Sequence, residues 1–436
     1  MATDPAVIKH LLRRTEYVAR PARVTALSAG SLDAAIDNIL DFTGIDTTLP
    51  AAIDHTDSAN QYDQYVFAAQ WWHDRMVDSP KPMQEKMTFF WHGHFTSAWN
   101  KVNDTLMMTH QNKLYRDNAV GNFYTLTQAM ALEPAMLVYL DNQDNSSGSP
   151  NENFARELME LFTLGIGNYA ESDVEASARA WTGFGIDWTD GSPTYGQYKF
   201  YPGDHDNGNK TFFGTTKNWD GPGIITEILV NNPTKKLIAA RYIIGKLWEH
   251  FAHPGPPTAV LDALTPGFAA NWDIKAMLKA MFLRAEFYST TALQGLVRTP
   301  VDWVTALMYH SGLRSADLNP QWYTDTMGQE PWNPPNVAGW KDNAYFINTS
   351  TMGARAEFAA QISYLILPTW DHVKTETIAN AIADMANLFD LNPLSTPTSN
   401  AMTSYLTAQR AAEHQGYWEP RNLLMMSMLA PELHVA

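Results

Sequence analysis

Apolar side chains recur at helical period along most of this chain, and that periodicity limits its fold more than any other feature. Residues 5–16 set Val7, Ile8, Leu11 and Leu12 on one stripe, and residues 31–41 open with a Ser31 cap ahead of Leu32, Ile36, Ile39 and Leu40. Segments 60–78 and 82–100 are strongly aromatic and divided by Ser79-Pro80, so an antiparallel helical pair is expected there. Further helices are expected over 109–130, 133–140, 152–164 (closed by Gly165) and 172–181, then over 224–230, 234–251, 258–269, 273–285 and 300–312. A last group covers 352–366, 372–386, 395–413 and 418–429. β-rich runs are few and no repeat is visible. The prediction is an all-α, multi-helix globular bundle, with 1–436 as a single domain.

One stretch breaks the pattern. From 183 to 223 the chain is rich in Gly, Asp, Asn, Thr and aromatic residues, with a short alternating piece at Tyr198-Lys-Phe-Tyr201. A long irregular insertion is expected, partly β. Loops of that length inside a compact protein tend to be functional, so the insertion is expected to cover the site.

Charge narrows the partners. With 46 acidic against 30 basic side chains, a net −16, the chain is poorly suited to nucleic acid or an anionic membrane. No run approaches the roughly 18 apolar residues of a membrane span. With no cysteine, thiolate metal sites and cysteine nucleophiles are excluded, so any chemistry rests on carboxylates, histidines, hydroxyls and amides. The N-terminus lacks the apolar core of a signal peptide. The protein is then cytoplasmic, or else periplasmic or secreted after loss of a leader, to which its many Trp, Tyr, Asn and Thr residues lean. Oligomeric state is not legible.

Three segments carry candidate chemistry. In Trp91-His92-Gly93-His94, a His-x-His pair chelates one metal from a strand or loop, but on a helix i and i+2 point about 200° apart unless Gly93 breaks it. Buried structural histidines are the alternative. In Asn151 to Glu160, Glu157 and Glu160 are i, i+3 neighbours, and Arg156 can pair with Glu152 and Glu160. That arrangement is either a buried ionic staple or an acid/base and metal constellation. In Gly203 to Lys210, Asp204, Asp206 and Gly208 resemble half of a calcium loop without its bidentate Glu. His205 and Asp206 could instead complete a His/carboxylate site, or form a plain turn. Tryptophans, with Trp91, Trp181 and Trp340 foremost, would stack a sugar or anchor the core. There is no Gly-x-Ser-x-Gly elbow, P-loop, His-Glu-x-x-His or Rossmann fingerprint.

Several runs together resemble the large bacterial family DUF1800: Glu85 to Phe95, Pro134 to Asp141, and above all Pro150-Asn-Glu-Asn-Phe-Ala-Arg-Glu-Leu-Met-Glu-Leu-Phe-Thr-Leu-Gly165. His10-Leu-Leu-Arg-Arg-Thr15, His205-Asp206 with Gly208 and Lys210, and Gln329 with Pro334 to Trp340 fit it in order. The resemblance implies a mostly helical bacterial protein, often exported, and assigns no activity. Two positions depart from the family: Glu16-Tyr17-Val18 replaces a Gly-Phe-Gly-like turn, and Phe162 stands where many members have histidine.

The residues together suggest a metal-assisted hydrolase acting on an extracellular glycan or similar polyhydroxylated small molecule. His92, His94 and His205 would bind a divalent Zn, Mn or Fe (Ca at 204–208), while Glu157, Glu160, Arg156 and Asp206 would serve catalysis. A non-catalytic binding or surface protein, and a metal-independent glycoside hydrolase using a Glu pair, are the alternatives.

Overall fold

The computed structural model describes residues 2–50, 53, 60–412 and 418–436. Among them α-helices dominate, and the only sheets are two small two-stranded ones, so the protein is all-α in class. Most helices start where local chemistry dictates. Ser31 caps Leu32–Ile39 by accepting from the Ala34 N–H, Asn232 caps Pro233–Phe251, and prolines occupy first turns at Pro82, Pro233 and Pro300.

The expected 82–100 helix is shorter, Pro82–His94, because the chain turns at Phe95 before the brief Trp99–Val102 helix. Likewise 109–130 divides into Thr105–Asp117 and Phe123–Met130. The insertion is ordered. Strand β1 (Phe184–Ile186) pairs antiparallel with β2 (Tyr198–Phe200), and β3 (Lys210–Phe212) with β4 (Thr215–Lys217). Phe213 and Gly214, both at positive φ, make the second hairpin's two-residue turn.

Three apolar clusters organise the body. The largest runs from Ile8 to Phe287 and holds Trp91, Phe95, Trp181 and Trp248. A second gathers residues between Trp303 and Leu433, joined by Val77. A third lies between them, built on Trp72, Phe89, Val301 and Trp332. The Pro82–His94 helix serves both the first and the third, and every residue of it except Gly93 is buried. A helix buried on all sides must satisfy its own polar groups. Glu85, fully buried, does so by accepting from Arg116 at 2.8 Å, Arg75 at 2.6 Å and Trp72 Nε1 at 3.0 Å. Burial would raise its carboxyl, but the two guanidiniums prevail and hold it below the usual range. This is the molecule's buried ionic staple.

Candidate functional site

The helix continues through Gly93 to His94, so the two histidines diverge as the i, i+2 geometry requires. His92 packs among Trp72, Tyr115, Trp332 and Trp340, whereas His94 lies parallel to Phe90 and places Nε2 3.0 Å from the Phe162 carbonyl. That carbonyl can only accept, so Nε2 carries the proton and Nδ1 is left bare. Burial drives both rings neutral, His92 down to about 3. Gly93 serves a different purpose from chelation. The Ala338–Trp340 loop is pressed onto it, and a Cβ at Gly339 would collide with the Gly93 carbonyl.

The Glu/Arg segment is a half-exposed face. Arg156 donates to Glu152 at 2.8 Å and to Glu171, a partner from the next helix, in place of the expected Glu160. Exposed pairs of this kind are screened by solvent and contribute little to stability. Glu160 accepts instead from Tyr169, while Glu157 is half-buried and its carboxyl raised, first by lost solvation and then by Glu160. The helix itself changes winding, from α over Asn153–Glu157 to a π-turn over Leu158–Thr163, which carries the Phe162 carbonyl to His94.

In the insertion, His205 Nδ1 sits 2.8 Å from the Thr182 carbonyl, and Asp206 divides its oxygens between Arg179 at 2.7 Å and the Gly208 N–H at 2.7 Å. The calcium reading meets a physical obstacle. Lys210, 1% exposed, places its ammonium on the Asp206 carbonyl, the Gly208 carbonyl (3.0 Å), Asn218 Oδ1 (3.0 Å) and the Trp219 carbonyl (2.9 Å). The loop's oxygens already coordinate a cation that belongs to the chain.

The expected metal ligands therefore do not converge: His92 and His94 diverge on one helix, and His205 lies in the insertion. Among the described residues, three His, Asp or Glu side chains bring ligand atoms within 4.8 Å of one another only at His372, Glu376 and Asp384, a surface group. Trp91 and Trp181 are fully buried and correct the stacking expectation: Trp91 donates to the Ala119 carbonyl, and Trp181 packs against Phe154 and Phe184. Trp340 alone of the three reaches a cavity. It lies parallel to Phe89, with centroids 4.8 Å apart.

That cavity, about 120 Å³, is not under the insertion but between the first and third clusters. The Pro82–His94 helix supplies Lys86, Phe89, Phe90 and His94 to its wall. From the Pro233–Phe251 helix come Lys246, Glu249 and His250, which share a face at i, i+3 and i+4. Thr299 and Asp302 open the Pro300–Ser311 helix, and Trp340 and Asp342 come from the loop seated on Gly93. Tyr17 completes the wall from a backbone at φ 60°, a left-handed position that a tyrosine rarely occupies, with the Lys86 ammonium 5.0 Å from its ring.

Electrostatics set the cleft apart. Lys86 pairs with Asp302 at 3.2 Å. Lys246 has no ion-pair partner among the described residues, and burial pushes its ammonium down to about 8. Lost solvation, then the charge of Glu249, push the Asp342 carboxyl up, against the pull of Lys246. His250 falls to about 3 through burial and stays neutral. None of Lys86, Lys246, Glu249, Asp302 and Asp342 was singled out by the sequence. The available signal was a lysine inside an aromatic helix, at Lys86.

Fold and site together define a mainly helical protein with an aromatic, mixed-charge cleft at the junction of its cores, the kind of concavity in which ligands are held. The chain belongs to the family described as protein of unknown function (DUF1800), whose model matches residues 10–435. No curated protein and no solved structure matches it. No helix among the described residues is long and apolar enough to cross a membrane.

Proposed function

We propose that the protein is a hydrolase acting on a polyhydroxylated substrate of the glycan class, bound against Phe89, Phe90 and Trp340. The observation that carries this reading is a pair of carboxyls in one cleft held in opposite environments. Asp302 is ion-paired with the Lys86 ammonium at 3.2 Å and faces the cleft as the base, while burial raises the Asp342 carboxyl, suited to an acid. Asp342 protonates the leaving oxygen as the bond to the sugar carbon breaks. Asp302 takes a proton from the water that replaces it.

The carboxylate pair stands in for the metal-assisted route, because the histidines that would have held an ion face different elements.

The test is release of reducing ends from a panel of neutral and acidic polysaccharides. Asp342→Asn should lower kcat by about 10²–10⁴-fold and remove the alkaline limb of the pH profile, while Glu157→Gln leaves kcat within about twofold. Saturable binding without product would assign a binding protein instead.

A further inference from the structure

At the inner end of the cleft, where the carboxylate pair also reaches, two buried guanidiniums have no ion-pair partner among the described residues. A second cavity, about 30 Å³, shares Lys86, Thr299 and the carboxyls of Glu249, Asp302 and Asp342 with the first and is lined further by Arg14 and Arg298. Arg14 is 1% exposed and Arg298 4%. Arg14 gives one nitrogen to the Ala292 carbonyl, but its Nε and Nη1 have no acceptor; Arg298 likewise has none for Nε and Nη1. Neither guanidinium has a carboxylate within ion-pair distance among the described residues, since Asp302 is engaged by Lys86. A third arginine, Arg355, fully buried, donates to the Arg298 carbonyl at 2.9 Å and adds positive charge behind the pair.

Buried guanidinium N–H groups without acceptors are strongly unfavourable. The fork of N–H groups on an arginine matches the oxygens of a carboxylate, sulfate or phosphate. The cavity is small, about a quarter of the volume of the first. We infer that this cavity is an oxyanion subsite between Arg14 and Arg298, and that its occupant is an acidic substituent carried by the ligand in the adjoining cleft. The carboxyls of Glu249, Asp302 and Asp342 on the shared wall reject a second anion and turn the neutral part of the ligand outward.

The site is read without turnover, so its failure is separable from failure of the hydrolytic reading. Thermal unfolding in sodium sulfate, against sodium chloride of equal ionic strength, should give a saturable rise in Tm that chloride does not. Arg298→Gln should weaken the apparent sulfate affinity at least tenfold. Crystals of the wild-type protein soaked in selenate should carry an anomalous peak between Arg14 and Arg298, which decides the matter even if the variant does not fold. A sulfate response equal to chloride, or no such peak, overturns the subsite. D-glucuronate should compete with sulfate and D-glucose should not. Sulfate binding without competition by glucuronate overturns the acidic-substituent assignment and leaves a site for a free inorganic anion.

Discussion

Two buried cations in this protein have been treated in opposite ways. Lys210, in the insertion, is enclosed by four oxygens of its own loop, three of them backbone carbonyls. Arg298, at the inner end of the cleft, is as deeply buried yet leaves Nε and Nη1 without an acceptor. The first is an internal cross-link. It fixes the geometry of a segment that has little apolar core of its own. The second leaves a deficit that folding alone does not resolve, and such deficits mark places shaped for something other than stability. A dense cluster of charged residues in sequence is thus a poor guide to chemistry, because the dense clusters here, at Arg156 and Lys210, are those that satisfy themselves.

The contrast can be broken by mutation. Lys210→Met should have the largest effect, a loss of about 3 kcal/mol in denaturant unfolding, since buried carbonyls would lose a charge-assisted donor. Arg298→Leu should move stability the other way or not at all, with a gain of about 1–2 kcal/mol, because an uncompensated charge is replaced by apolar packing. Equal destabilisation by both would erase the distinction drawn between them.

Lys246 sharpens the same point through pH. Its folded-state value, about 8, lies below the ordinary lysine value of 10.5, so burial of the charged form is a penalty fully present below pH 8. Between pH 8 and 10.5 the unfolded chain retains a proton that the folded chain has released, and stability should rise with pH. Relative to Lys246→Gln, the wild type should gain on the order of 1 kcal/mol across that window, less than the full shift implies because the group keeps some contact with solvent. A flat difference in Tm from pH 7 to 11 would show that Lys246 has a partner.

The helices were largely legible because most carry one apolar stripe and a local start signal, as at Ser31, Pro233 and Pro300. The Pro82–His94 helix was legible as a helix but not as a site. Being buried all round, it has no polar face against which Lys86 would stand out. The π-turn at Leu158–Thr163 left no mark either, since its apolar residues satisfy an ordinary helical period as well. The cleft was hidden for a simpler reason: its charged residues come from four distant segments, and each except Lys86 looks locally like solvated surface. Trp340 and His94 were the expected residues that the fold delivered to it.

The seat of that tryptophan has a consequence for selectivity. Gly93 and Gly339 meet backbone to backbone, but they are not equivalent. A methyl group at Gly93 would rest 3.5 Å from the Trp340 ring, an ordinary contact, whereas one at Gly339 would meet the Gly93 carbonyl and sit at φ +80°. The first position is therefore a tuning screw and the second a fixed stop. Related chains could narrow the gauge of the cleft by a single methyl at the first, and admit thinner ligands, without unseating the wall that measures them.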